Sequence, residues 1–130
     1  RYILNESMDY LDSRGSICHA AMTISNDLFI NTIVIMTESG VTAMKMAQHR
    51  PRARIFALSP DSNVCRQLAL IWGVTPLLVN PVTSTDKMII DSSELLKERK
   101  FIKKGESFII TAGVPVGVTG STNMLKIHSV

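Results

Sequence analysis

The stretch Ile33-Val-Ile-Met-Thr-Glu-Ser-Gly-Val-Thr-Ala43 decides the fold, because it predicts a strand that passes through a short polar loop into a helix. The four apolar residues from Ile33 to Met36 are typical of a strand covered on both faces. Thr37 to Gly40 break this run, and Val41 to Gln48 then predict a helix of about two turns. Such a loop presents backbone N–H groups and hydroxyls at a helix N-terminus, where an anion is stabilised.

The size and composition predict one globular domain. The chain has 130 residues, of which 45% are hydrophobic and 19% are charged, and a chain of this length can bury a sizeable core. No apolar run reaches the roughly 18 residues that a membrane span needs, and the N-terminus lacks the features of a signal peptide. We therefore expect a cytoplasmic protein with no membrane partner, in which Cys18 and Cys65 are free, buried, reduced thiols.

The formal charge of +3 at pH 7 lies mostly in two clusters. One is Arg50-Pro-Arg-Ala-Arg54, and the other runs from Lys97 to Lys104. The second cluster lies at the end of a predicted helix, where cations suit the helix dipole. A nucleic-acid surface usually adds aromatic stacking groups or a larger excess of charge. The sequence therefore argues against a nucleic-acid partner.

Strands alternate with helices along the rest of the chain, which predicts βαβ units and a largely parallel sheet. The last two strands are joined directly, so the last strand is expected to be antiparallel. Pro76 favours an edge position for the third strand, and Gly73 is expected as a left-handed helix cap. The predicted helices are 16–28, 41–48, about 62–71 and about 85–100; the predicted strands are 32–37, 54–59, 74–79, 107–111 and 123–130.

Two groups of apolar residues are expected in the core. The first helix carries apolar residues at the spacing of one buried face, namely Ile17, Ala20, Ala21, Ile24 and Leu28. Methionines are expected as core filling, and those concerned are Met22, Met36, Met44 and Met46.

Two loops follow strand ends, where open α/β sheets bind ligands. They are Thr37–Thr42 and Gly113–Gly120, and their glycines and hydroxyls could hold a phosphate between them. In the alternative, Ser39 and Thr42 only cap a helix and the glycines only turn the chain; the pattern alone leaves both open. Neither loop is a dinucleotide fingerprint or a Walker A loop. Glu38 would repel a dianion unless its side chain turns outward or finds a partner.

Catalytic and metal-binding patterns are absent from the sequence. His19, His49 and His128 have no nucleophile or metal partner at a recognisable spacing, and the acidic residues are scattered. We therefore expect no catalytic residue, no metal site and no cofactor in this chain.

Several motifs in order resemble the C-terminal domain of pyruvate kinase. They are Met36–Ala43 followed by Arg50-Pro51, Trp72-Gly-Val-Thr-Pro76, Ser84-Thr-Asp86, and Gly113-Val-Pro-Val-Gly-Val-Thr-Gly-Ser-Thr-Asn123. The resemblance covers residues 16–130 and makes residues 1–15 a connector or a helix end from an upstream domain. It implies a three-layer α/β/α fold whose five-stranded sheet is mostly parallel, with the last strand antiparallel.

The resemblance also implies a glycolytic enzyme that transfers a phosphoryl group from phosphoenolpyruvate to ADP with magnesium and usually potassium. The catalytic and metal-binding residues would belong to a barrel domain. This domain would hold the allosteric effector site and, through the strand 123–130, part of a tetramer interface, which would cover an exposed sheet edge. A free-standing phosphate- or nucleotide-binding protein, or an interaction module without a ligand, is the alternative on the same fold.

Carried over to this chain, the effector phosphate would bind Thr37, Ser39, Gly40 and Thr42, with backbone help from Glu38 and Val41. The second loop, with Gly113, Val114, Pro115, Gly117 and Gly120, would close over the rest of the ligand. Family members activated by fructose 1,6-bisphosphate often have lysine or a small hydroxyl residue in place of Glu38. They also use a tryptophan–arginine pair for the second phosphate, and residues 81–91 contain neither type. We therefore expect a monophosphate (a sugar phosphate or AMP) rather than a bisphosphate.

Overall fold

The computed structural model describes residues 13–113 and 122–130, which form four helices and five strands in alternating order. We number these elements along the chain. The helices are α1 (Ser13–Leu28), α2 (Val41–Gln48), α3 (Ser62–Leu68) and α4 (Thr85–Glu98), and the strands are β1 (Thr32–Met36), β2 (Arg54–Ser59), β3 (Val74–Leu78), β4 (Ser107–Ala112) and β5 (Met124–Ser129).

The five strands form one sheet in the order β3-β2-β1-β4-β5. The strands β1 to β4 are parallel, and β5 pairs antiparallel with β4, with Ile109 opposite Ile127. The antiparallel last strand is thus confirmed. Pro76 lies in β3 at one edge of the sheet, as predicted. Proline has no backbone N–H, and an edge strand tolerates this because it needs hydrogen bonds on one side only.

Two apolar clusters cover the two faces of the sheet and make the fold three-layered. On one face, α1, α2 and α3 pack against Ile33, Ile35 and Ile55. On the other face, α4 packs against Val34 and Phe56. Neighbouring residues of β1 therefore enter different clusters, which explains why the strand is an uninterrupted apolar run. The predicted fold class is confirmed.

The predicted buried face of α1 is partly wrong. The buried side chains are those of Cys18, Ala21 and Ser25, and Gly15 on the same face is also buried, whereas Leu28 is 58% exposed. The buried positions follow the same 3/4 spacing, but with smaller side chains, and these let α1 approach α2 until Cys18 Sγ lies 3.8 Å from the Thr42 carbonyl oxygen. Leu28 is the last residue of the helix, and its side chain has no apolar layer to enter.

Two further burial predictions need correction. Met44 is 45% exposed, because α2 buries Thr42, Ala43 and Met46 and position 44 points away from that face. Cys65 is only half-buried rather than buried. Both Cys65 and Cys18 are free thiols, as predicted.

Some helix ends also differ from prediction. The helix α3 ends at Leu68 rather than at residue 71, because the Leu70 and Ile71 N–H groups bond three residues back, to Gln67 and Leu68, which is the tighter 3₁₀ pattern. The predicted left-handed Gly73 is found, with φ +85°.

Candidate functional site

The candidate site lies at the edge where the four parallel strands end, which we call the carboxyl edge. The predicted loop Thr37–Thr42 joins β1 to α2 there, and Gly113 follows the end of β4. Because β1 and β4 are hydrogen-bonded neighbours, the two loops leave the sheet side by side. Ligands bind open α/β sheets at this edge.

Thr37 fixes the start of the first loop. Its N–H donates to the Leu58 carbonyl oxygen at 3.0 Å, and its Oγ1 accepts from the Gly40 N–H at 2.8 Å. The side chain is buried. The loop is therefore tied to β2 at one end and closed on itself by the threonine hydroxyl.

Gly40 begins α2 in a conformation that favours glycine. Its φ is +86°, in the left-handed region, which costs other residues about 1–2 kcal/mol. A Cβ at this position would lie 3.2 Å from Val64 Cγ1 and 3.4 Å from Leu68 Cδ2. Both the backbone conformation and the close packing against α3 therefore favour a residue without a side chain at position 40.

Within the part of the chain that the structure describes, no side chain caps the start of α2. Ser39 Oγ accepts from the Val41 N–H at only 3.4 Å. The helices α3 and α4, by contrast, are capped. Asp61 accepts from two N–H groups of α3, and Ser84 accepts from one N–H group of α4. The N-terminus of α2 therefore keeps N–H groups and the positive end of its dipole for an anion.

A buried hydrogen bond joins the two loops. Thr42 Oγ1 lies 2.7 Å from Thr122 Oγ1, across 80 positions of sequence, and both side chains are 4% exposed. The Asn123 N–H donates to the Ala112 carbonyl oxygen at 3.1 Å, which closes the base of the second loop. Sequence reasoning did not select Thr122 as a site residue; a hydroxyl directly after a glycine-rich loop was the available signal.

The predicted site residues divide by exposure. Thr37, Gly40 and Thr42 are buried, whereas Glu38, Ser39 and Val41 are exposed. Gly113 is half-buried and lies next to the end of β4. The remaining predicted residues of the second loop, Val114, Pro115, Gly117 and Gly120, lie outside the described residues.

A groove of about 400 Å³ lies on the α4 side of the same edge. Met36 and Leu58, at the ends of β1 and β2, form part of its floor. Its α4 wall carries three carboxylates and one lysine, and that lysine is paired: Lys87 Nζ lies 3.2 Å from Asp91 Oδ2. The lining charged residues are Lys87, Asp91, Glu94 and Glu98. Among the described residues that line it, the groove therefore offers no unpaired cation.

The electrostatics of the edge include one shifted thiol. Burial, and then the Asp61 carboxylate, raise the pKa of Cys65 above its ordinary value, and the contact with the Ser59 carbonyl lowers it in part.

Within residues 13–113 and 122–130, no three His, Cys, Asp or Glu side chains are grouped so that they could hold a metal ion. In the same part of the chain, none of the helices combines the length and the apolarity needed to cross a bilayer.

Comparison with known proteins identifies relatives of this chain. A family model described as "Pyruvate kinase, alpha/beta domain" matches residues 15–128. The pyruvate kinase of Clostridium acetobutylicum is 38% identical over 108 residues, which are 83% of this chain and 23% of the relative. That of Lactobacillus delbrueckii subsp. bulgaricus is 36% identical over 113 residues, 87% of this chain and 19% of the relative.

Structure comparison agrees with the sequence matches. The crystal structure of a pyruvate kinase from Cryptosporidium parvum superposes with a TM-score of 0.81 at 26% identity, covering 92% of this chain and 23% of that chain. The chain thus spans about a fifth of the length of the relatives that it matches.

Proposed function

The chain belongs to the pyruvate kinase alpha/beta domain family, and we propose that it binds a phosphorylated effector and takes part in oligomerisation within a pyruvate kinase. In such an enzyme, a separate barrel domain would transfer the phosphoryl group from phosphoenolpyruvate to ADP, with magnesium and potassium. This domain would act by binding rather than by catalysis.

The observation that carries the proposal is the uncapped start of α2. Gly40 opens the helix, none of the described side chains caps it, and the hydroxyls of Thr37, Ser39 and Thr42 lie near that start. A phosphate placed there would accept from backbone N–H groups and gain from the helix dipole. The Thr42–Thr122 hydrogen bond supports a role for the second loop, because it holds that loop's base against the same helix.

The ligand that these residues suit best is a monophosphate. A ligand whose phosphate binds at 37–42 would extend either toward the second loop or across Met36 into the α4 groove. The groove wall carries Asp91, Glu94 and Glu98, and Lys87 is already paired with Asp91. A second phosphate would be repelled there, whereas sugar or ribose hydroxyls could donate to the carboxylates.

Titration calorimetry of the chain with a hexose monophosphate, AMP and fructose 1,6-bisphosphate tests this proposal. We expect either monophosphate to bind more tightly than the bisphosphate. Tighter binding of the bisphosphate would contradict the assignment, and no binding of any of the three would overturn the proposed site.

The substitution Glu38→Lys tests whether the loop meets the phosphate. Glu38 is exposed, and an exposed ion pair is worth about 0.2–1 kcal/mol, so we expect monophosphate affinity to rise by at most roughly fivefold. Asp27→Lys makes the same charge change near the end of α1, at the opposite edge of the sheet, and should leave the affinity unchanged. An equal gain in both variants would show a general charge effect only.

The proposed oligomer would form through β5. This strand pairs with β4 on one side and lies at the end of the strand order, and its residue Ile127 is 41% exposed. An edge strand of this kind can pair with a second copy. Sedimentation velocity over a wide concentration range should show association, and a monomer at every concentration would contradict it.

A further inference from the structure

The groove on the α4 side of the carboxyl edge, which we call the α4 groove, has an apolar floor and an acidic wall. Its volume of about 400 Å³ is that of a small-molecule site. Side chains at the ends of β1, β2 and β3 supply much of the floor, namely Met36, Leu58, Leu78 and Val79. The wall therefore decides which polar group the groove accepts.

Two of the three carboxylates on this wall lack a counterion among the described residues. Lys87 Nζ lies 3.2 Å from Asp91 Oδ2, so the lysine neutralises that carboxylate. Glu94 and Glu98 are exposed, and neither side chain forms an ion pair or a hydrogen bond with another described residue. Because they lie four residues apart on one helix, they are neighbours that repel each other. A cation between them would remove that repulsion.

A buried hydroxyl on the same helix also faces the groove. Ser92 is only 2% exposed, yet it belongs to the lining of the groove. Its Oγ has no hydrogen-bond partner in the described part of the chain. Buried hydroxyls in proteins usually have a partner, so the Ser92 hydroxyl remains for a polar group that enters the groove. This observation is independent of the carboxylates.

An ammonium group matches this lining better than a hydroxyl or a metal ion does. It carries three N–H donors and a positive charge, whereas a carboxylate only accepts and a serine hydroxyl can accept. A ligand hydroxyl would satisfy one acceptor and leave the charges of Glu94 and Glu98 uncompensated. A metal ion fits less well, because the described residues hold no group of three metal-binding side chains.

The groove begins where the proposed phosphate loop begins. Met36, which lines the groove, is followed directly by Thr37, whose hydroxyl accepts from the Gly40 N–H. A ligand whose phosphate lies at the start of α2 can therefore extend over the end of β1 into the groove. It would meet positive potential at one end and negative charge at the other.

We propose that the α4 groove is an ammonium subsite and that the effector is a monophosphate with a primary amine, of the amino-sugar phosphate class. The inference rests on the proposed effector site, and it names the group that selects one monophosphate over another. The chain has a formal charge of +3, which disfavours a cationic group. A preference for the amine must therefore come from the local wall of Glu94, Glu98 and Ser92.

Titration calorimetry with glucosamine 6-phosphate and glucose 6-phosphate tests the proposal, because the two probes differ only in an ammonium group in place of one hydroxyl. At about pH 7 most of the amine is protonated. We expect the amine to bind roughly three- to tenfold more tightly, since each of two exposed carboxylates contributes as an exposed ion pair does. Equal affinities would overturn the ammonium subsite and leave the phosphate site standing, whereas binding of neither probe would overturn both.

The pH dependence separates the charge of the amine from its hydrogen bonds. At about pH 9 an amine with the pKa of an α-amino group is mostly neutral, so the preference for glucosamine 6-phosphate should disappear. Glucose 6-phosphate has no amine and reports any effect of pH on the protein itself. A preference of the same size at both pH values would contradict recognition of an ammonium group.

Substitution of the wall tests which carboxylates are responsible. Glu94→Gln should lower the preference for the amine, and Glu94→Gln combined with Glu98→Gln should abolish it. Both glutamates are exposed, so neither change should unfold the domain. Asp86→Asn removes a charge from the first turn of α4 outside the groove, and it should keep the preference. A preference that survives the double substitution would overturn the proposal.

The variant Ser92→Ala tests the buried hydroxyl. We expect weaker binding of glucosamine 6-phosphate, by up to roughly fivefold for one lost hydrogen bond. The urea unfolding midpoint should stay equal or rise, because alanine is the better helix former. Ser93→Ala changes a buried serine outside the groove lining and should leave the affinity unchanged. Equal affinities of the two variants for the amine would contradict the subsite as described.

Discussion

The carboxyl edge of the sheet and the opposite edge, where the parallel strands begin and which we call the amino edge, are built from different kinds of residue. At the carboxyl edge, the loop after β1 is short and polar, and a buried hydrogen bond between Thr42 and Thr122 joins it to the base of the next loop. At the amino edge, Leu70 and Trp72 are almost fully exposed. The carboxyl edge therefore offers fixed polar groups, and the amino edge offers exposed apolar area.

The largest expected effect separates the two edges through one glycine at each. Gly73 at the amino edge has φ +85°, and a Cβ there would meet nothing within 4 Å, so Gly73→Ala should cost only backbone strain, about 1–2 kcal/mol. Gly40→Ala adds the contact with Val64, and overpacking costs roughly 1–3 kcal/mol more. Urea unfolding measures both variants. Equal losses of stability would mean that the carboxyl edge is no more tightly packed than the amino edge.

The next effect concerns the bond that joins the two loops. Thr42→Val leaves the buried Thr122 hydroxyl without its partner, which should cost about 1–3 kcal/mol of unfolding free energy. Thr42→Ser keeps a hydroxyl and should cost less.

The double substitution Thr42→Val with Thr122→Val completes the cycle. It removes both hydroxyls, so its cost should be smaller than the sum of the two single costs. Additive costs would show that the hydroxyls do not bond to each other in solution.

The smallest effect concerns the charge at the carboxyl edge beyond the loops. The Asp61 carboxylate contributes to the raised pKa of the Cys65 thiol, after burial. Asp61→Asn keeps an oxygen that can cap α3 and removes the charge, so the thiol pKa should fall. At pH 8 iodoacetamide should then alkylate Cys65 roughly 1.5- to threefold faster, as for a partly exposed charge pair. Asp91→Asn is the control, and an unchanged rate in Asp61→Asn would show that the charge does not reach the sulfur.

The raised pKa of Cys65 also determines the direction in which folding stability changes with pH. Because the folded-state pKa of Cys65 is raised, its contribution to stability is complete below the pKa of an unfolded thiol. The contribution is lost as the pH rises through the folded-state pKa. Cys65→Ser should therefore flatten the decline of stability at alkaline pH, and an unchanged slope would assign the decline to other groups.

Periodicity predicted most of the fold because β1, β2 and β4 are buried on both faces and the segments between the elements are polar. It failed where several residue types satisfy the same spacing. The sequence could not distinguish Cys18, Ala21 and Ser25 from the larger residues beside them as the buried face of α1, since the choice depends on how closely α2 approaches. The prediction that Met44 fills the core failed because α2 has only one buried side, and Met44 lies on the other side.

The arrangement of the candidate site was predictable to the extent that it is local. Thr37, Gly40 and Thr42 lie within six consecutive residues, and their glycine and hydroxyl pattern indicated a loop that could bind an anion. Thr122 joins them only through the pairing of β4 and β5, which no local pattern encodes. The exposure of Trp72 beside Arg50 and Arg52 also depends on the tertiary fold, and no local pattern predicts it.

Amide chemical-shift mapping of the ¹⁵N-labelled chain during titration with a hexose monophosphate tests the central claim most directly. We expect saturable shifts at residues 38–42 and at Thr122, with residues 50–54 and 69–73 unaffected. Shifts at the amino edge without shifts at 38–42 would contradict the assignment of the effector phosphate to the carboxyl edge.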